Sequence, residues 1–144
     1  MMRYIAIVGL CLISGVVLNG CLAALGTSNS VRVDGGMKYE YDAAERGGAI
    51  HRWVLPEKRS INRIEIYFDS FQPLKNFIVY AQLGKNNWRV VKEVKTPAKT
   101  SPFTISTALS TDAIRIVHSS TTGRIQEIAL YGPEPKDTKF ENIK

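Results

Sequence analysis

From about residue 31 onward the apolar and polar positions of the chain alternate with period two, in stretches rich in Ile, Val, Tyr, Phe and Thr that are broken by clusters of Gly, Pro, Asn and Ser. The clearest run is Arg63 to Phe68: Ile64, Ile66 and Phe68 point one way and Arg63, Glu65 and Tyr67 the other, as a half-buried strand requires. The same pattern predicts strands at Met37 to Tyr41, His51 to Leu55, Asn76 to Leu83, Trp88 to Val94, Phe103 to Ser106, Ala113 to His118 and Arg124 to Tyr131, about eight in all. In Leu83-Gly84-Lys85-Asn86-Asn87-Trp88, Gly and Asn fall where a tight hairpin needs positive φ, so the flanking strands should be antiparallel neighbours. No segment of helical period and useful length follows residue 26, and helices are what a parallel sheet would need to cover it. The pattern therefore predicts an all-β domain, an antiparallel β-sandwich or jelly roll. Its inner faces should be supplied by Ile64, Ile66, Phe77, Val79, Val90, Ile114, Ile116, Ile128 and Leu130.

The N-terminal residues follow a different rule. Arg3, the apolar run Tyr4 to Leu18, and Asn19-Gly20-Cys21 match the charged, apolar and small-residue parts of a secretory signal. Leu18-Asn19-Gly20-Cys21 resembles the bacterial lipobox, although Asn19 stands where that motif usually has Ala, Ser or Thr. The resemblance implies that Cys21 is cleaved free, acylated with palmitate-like chains and left as the mature N-terminus. Each buried methylene then contributes about 0.8 kcal/mol, and several chains together hold durably. The alternative is an uncleaved anchor, since continuing the run through Leu22-Ala23-Ala24-Leu25 approaches the roughly twenty apolar residues that cross a bilayer. The expected organisation is a signal peptide at 1–20, a tether at 21–30 that is small and polar from Gly26 to Ser30, the sandwich at 31–132, and a polar tail at 133–144 that carries two prolines.

A chain of 144 residues has room for one such domain. Of its 19 Lys and Arg only Arg3 leaves with the signal, so 18 basic residues face 13 acidic ones. That excess favours anionic surfaces such as phospholipid headgroups, acidic glycans or lipopolysaccharide, and no nucleic acid is expected as a partner outside the cytoplasm. Cys11 departs with the signal and the Cys21 thiol is taken by lipid, which excludes disulfides and thiolate metal sites from the mature domain. His51 and His118 stand far apart with no neighbour at metal-ligand spacing, so neither a metal site nor a cofactor is expected. The domain has no Gly-x-Ser-x-Gly elbow and no free Cys, so it is not expected to be an enzyme. Asp34, Glu40, Asp42 and Glu45 lie near a glycine-rich loop as candidate calcium ligands, as an acid and base pair for glycoside cleavage, or as plain solvated charges. Aromatic side chains are the stronger candidates, because a pyranose face stacks on Trp or Tyr. Tyr39, Tyr41 and Phe71 are the expected exposed platforms, with Arg46 and His51 as polar partners, His51 lying beside Arg52 and Trp53.

Three segments, taken in order, resemble the discoidin-like family, the coagulation-factor C-type domains of the galactose-binding-like superfamily. WVLPEKRSINRIEIY at 53–67 is similar to that family's Trp-led strand, polar turn and Ile-rich strand. NFIVYAQLGKNNWRVV at 76–91 is similar to its strand, turn and Trp-led strand, with Gly84 and Trp88 matching and the turn aspartate missing. AIRIV at 113–117 and IQEIALYG at 125–132 look like its closing pair. The resemblance implies a jelly-roll binding module whose ligand is a glycan, a phospholipid or a protein, with Trp53 and Trp88 as packing residues; the loops that usually hold the ligand look short here. The expected function is that of a noncatalytic, lipid-anchored binding protein of the cell envelope, at the outer or the cytoplasmic membrane, that recognises carbohydrate or an anionic envelope component. The alternative is a structural accessory lipoprotein that docks onto a larger envelope complex.

Overall fold

Period-two alternation becomes seven strands among the residues that the computed structural model describes, which are 29–44, 48–69, 71–119 and 124–134. They are β1 (Ser30–Arg32), β2 (Lys38–Ala43), β3 (Ala49–Phe68), β4 (Phe77–Gly84), β5 (Asn87–Val94), β6 (Phe103–His118) and β7 (Ile125–Pro133). All pairings are antiparallel and run in the order β1-β7-β3-β6-β4-β5, with β2 added alongside β3. The strand count differs from expectation in an instructive way. The predicted strands His51 to Leu55 and Arg63 to Phe68 are two halves of β3, Phe103 to Ser106 and Ala113 to His118 are two halves of β6, and the short β1 carries no alternation to announce it.

The two long strands build both layers of the sandwich. The first half of β3 pairs with β2 and with the last residues of β6, and that part of β6 also pairs with β4. The second half of β3 pairs with the start of β6 and with β7. One layer is thus β2, β3, β6, β4 and β5, and the other is β1, β7, β3 and β6. The chain passes between them where the register breaks: Val54 pairs with Ala113 and Arg59 with Thr111, so residues 55–58 of β3 face Asp112 alone. A bulge of this kind bends a strand and raises its twist. Pro56, which has no N–H to contribute to a ladder, sits inside it. Thr111 holds the bend from the β6 side. Its fully buried hydroxyl lies 2.7 Å from the Gln82 carbonyl and 2.8 Å from the Ala113 carbonyl, and accepts from the Ala113 N–H at 3.1 Å. Gly132 of β7 passes so close to β3 that a Cβ there would lie 2.1 Å from the Ser60 carbonyl oxygen, a position open only to glycine.

Between the layers lies one core in which Ile64, Ile66, Phe77, Val79, Ile114, Ile116, Ile128 and Leu130 are all fully buried. Each such side chain contributes roughly 1.5–3 kcal/mol, and Phe77 meets Phe103 edge to face at 5.4 Å. Val90, expected among them, is instead 52% exposed. A register shift between Val79 and Tyr80 turns it outward opposite Tyr80 and sends Val91 against the core. The β4–β5 hairpin forms as expected, with Asn86 rather than Gly84 taking the positive φ, at 59°.

Candidate functional site

Among the described residues β2 pairs only with β3 and β1 only with β7, and a cleft of about 1300 Å³ opens between the layers on that side. Register decides what faces it. Tyr39 lies opposite Trp53 and Tyr41 opposite His51, so these four side chains share the cleft face of the five-stranded layer, and Lys38, Glu40 and Asp42 take the other face. Tyr39 is 54% and Tyr41 60% exposed, whereas His51 and Trp53 are buried beneath them as a floor. The rings touch in sequence. Tyr41 meets His51 edge-on at 5.4 Å, His51 stacks on Trp53 at 5.9 Å, and Tyr39 leans on Trp53 at 5.3 Å.

A proton chain runs under this aromatic floor. The Tyr39 hydroxyl is 2.8 Å from His51 Nδ1, and His51 Nε2 is 3.0 Å from His118 Nε2, the two imidazoles lying within 16° of parallel. Either the Tyr39 O–H donates to Nδ1 and His51 Nε2–H donates to His118, or both bonds run in reverse. The imidazole pair shares one proton between its facing nitrogens in both cases. Among the described residues no group of three or more His, Cys, Asp or Glu comes together. Burial first, and then His118, pushes His51 down to about 4. Burial also raises the Tyr39 phenol above its ordinary value. Across the cleft Arg32 bonds Asp34 at 2.8 and 2.9 Å and also grips Glu127, and these two carboxylates hold its guanidinium above the usual arginine value, Asp34 more than Glu127. Gln72 and Arg124 complete the polar rim.

The residues singled out from the sequence divide accordingly. Tyr39, Tyr41 and His51 come together in the cleft. Phe71 is 94% exposed but does not line it; its neighbour Gln72 does, in a loop where Asp69 caps both backbone N–H groups. Arg46, Glu45 and Cys21 lie outside the described residues. His51, Arg52 and Trp53 do not form one sugar site, because the strand sends Arg52 to the opposite face, where it pairs with Glu40 at 3.4 Å and overlies Trp88. Asp34 likewise faces the cleft while Glu40 and Asp42 face away, so these carboxylates build no common cation site. Sequence reasoning weighed His118 only as a metal ligand and did not place it with His51. Its parity with Ile114 and Ile116 places it on the inner face, but its partner is set by a pairing of β3 with β6 that no local pattern reveals.

No protein-family model matches the chain, and no curated protein matches it. Solved structures do. The family 32 carbohydrate-binding module of C. perfringens NanJ, in complex with galactose, is 12% identical over 71% of this chain and 98% of that one, with a TM-score of 0.57. The family 32 module from Streptococcus pneumoniae EndoD is 17% identical over 65% of this chain and 75% of its own length, with a TM-score of 0.51. A glycoside hydrolase matches at 18% identity and a TM-score of 0.54 over 60% of this chain, which spans only 20% of that protein. At such identities what is shared is the fold, and the chain is an antiparallel β-sandwich like these family 32 modules, which are galactose-binding-like folds.

Proposed function

We propose that the cleft binds carbohydrate and that the chain is a noncatalytic binding module, held at a bacterial cell envelope by lipid on Cys21. One observation carries the sugar-binding reading: two exposed tyrosines, Tyr39 and Tyr41, stand over a buried floor of His51 and Trp53 within an open cleft of about 1300 Å³. A pyranose presents an apolar C–H face to such rings and hydroxyls to polar groups around them. Gln72 and Arg124 stand at the rim for those hydroxyls. The galactose complex of the NanJ module, a neighbour in fold, supports the same ligand class. A binding role, as opposed to hydrolysis, is supported by the state of the two carboxylates that line the cleft among the described residues. Asp34 and Glu127 are both engaged by one guanidinium, that of Arg32, and neither is presented as a free acid to a glycosidic oxygen.

The anchoring rests on the lipobox-like Leu18-Asn19-Gly20-Cys21. Intact mass spectrometry of membrane-extracted protein should find a mature chain starting at an acylated Cys21. For the ligand, a glycan array followed by calorimetry should give a saturable signal for neutral galactosides that falls at least tenfold in Tyr41→Ala. An unaltered signal in that variant would remove the cleft from the reading. The second reading, a structural lipoprotein that docks onto an envelope complex, is favoured by Phe71, an aromatic ring in full solvent away from the cleft. Silence on the array together with a protein that copurifies through Phe71 would select it.

A further inference from the structure

On the face of the five-stranded layer that looks away from the cleft, one transverse row reads Glu40, Arg52, Arg115, Tyr80, Val90, each residue paired with the next across neighbouring strands. Arg115 is the anomaly in it. The half-buried arginines Arg52, Arg59 and Arg63 each hold a carboxylate, from Glu40, Glu57 and Glu65. Arg115, also half-buried, holds none among the described residues. Its guanidinium lies over the Trp88 ring at 4.4 Å and the Tyr80 ring at 4.7 Å, with Arg52 also over Trp88 at 5.5 Å. Its Nε is buried with no hydrogen-bond partner among the described residues. Burial, together with the neighbouring Arg52 charge, disfavours the cation and lowers its pKa. Two like charges side by side, one of them uncompensated, are costly on a sheet unless something anionic meets them. The two rings already fix the guanidinium plane, so little side-chain freedom remains to be lost when a ligand arrives.

We infer that this face carries a second binding site, independent of the cleft, for carboxylate-bearing sugars such as uronate chains, with Arg115 as the residue that grips the carboxylate. A planar guanidinium matches a planar carboxylate in a two-point fork, and Arg52 beside it adds a second positive charge. Trp88, Tyr80 and the exposed Val90 give the pyranose an apolar border. The edges of the face decide between a chain and a broad anionic surface. β2 presents Glu40 and Asp42 beside Lys38, and Glu93 of β5 pairs with Lys95 just beyond it, so the positive charge of the row lies on its two inner strands, at Arg52 and Arg115. A single acidic strand fits along that row, whereas an anionic bilayer would press on the acidic edges as well.

The test is affinity electrophoresis of the full chain through gels that carry polygalacturonate, fully methyl-esterified polygalacturonate, or no polymer. Polygalacturonate should retard the protein and the ester, which lacks the negative charge, should not. Arg115→Gln should weaken the retardation at least tenfold, Arg115→Lys should restore only a minor part of it, and Arg52→Gln should weaken it severalfold. Circular dichroism establishes that each variant is folded, and Arg52→Gln with competition by free galacturonate decides the matter if Arg115→Gln is not. Neutral galactoside binding should survive Arg115→Gln, which separates failure of this site from failure of the cleft. Retardation that is equal with the ester, unaffected by Arg115→Gln, or matched by poly-glutamate or phosphatidylglycerol vesicles at the same charge concentration would overturn the inference.

Discussion

Acidification should remove stability through His51, and the amount follows from its surroundings. The side chain is buried between Tyr39, Trp53 and His118, and its pKa of about 4 in the folded chain lies below the 6.5 of a free imidazole. Between those two values the unfolded chain binds the proton and the folded chain does not, so stability rises with pH across that window. The contribution is complete above pH 6.5 and is lost as pH falls towards 4. At pH 5 the linkage relation gives a loss of about 2 kcal/mol relative to pH 8, and at pH 4 about 3 kcal/mol. The control is His51→Gln, whose amide can meet Tyr39 and His118 without titrating. Urea unfolding of both proteins at pH 8, 6, 5 and 4 isolates the effect, since groups that titrate elsewhere contribute alike to both. The stability advantage of the wild type should shrink by about 2 kcal/mol by pH 5. Parallel pH profiles for the two proteins would refute the reasoning.

Three further outcomes test the scaffold. Gly132→Ala forces a Cβ to within 2.1 Å of a backbone carbonyl, which β3 can relieve only by moving, so urea unfolding should show a loss of about 3 kcal/mol or more, or expression should fail. Thr111→Val leaves the Ala113 N–H and the Gln82 carbonyl without the hydroxyl at the bend and should cost about 1–3 kcal/mol, whereas Thr111→Ser, which keeps the hydroxyl, should recover most of it. Phe77→Ala empties a fully buried site beside Phe103 and should cost about 3–5 kcal/mol in the same assay.

Local alternation was enough to identify the strands and most of the core, because burial on one face of a sheet writes itself into every second residue. It was not enough to show where a strand continues. Pro56-Glu57-Lys58 has the composition of a turn, yet here it is a bulge in the middle of β3, exposed because the strand is bending from one layer to the other. Thr107 to Asp112 likewise looks like a polar break in β6, although Thr111 is fully buried and tied to three backbone groups. The hairpin at Asn86 was legible because a positive φ is a local requirement. The bend was not, because it is imposed by the partner strand.

The sites show the same division. His51, Arg52 and Trp53 are consecutive, and a reading of composition naturally pools them as donors and platform for one sugar. A strand cannot do that, since its side chains alternate faces. His51 and Trp53 therefore join Tyr39 and Tyr41 in the cleft, and Arg52 joins Arg115, Tyr80 and Trp88 on the opposite face. Three adjacent residues thus belong to two surfaces, and the register of β2 and β6 against β3 holds both assignments at once. Slipping β3 by one residue would bring Arg52 under the tyrosines and expose Trp53 among the outer arginines. The core forbids the slip, because the same movement would turn Leu55 out and Val54 in. The parity that packs the sandwich is therefore also what keeps a neutral, aromatic cleft on one face and a charged row on the other.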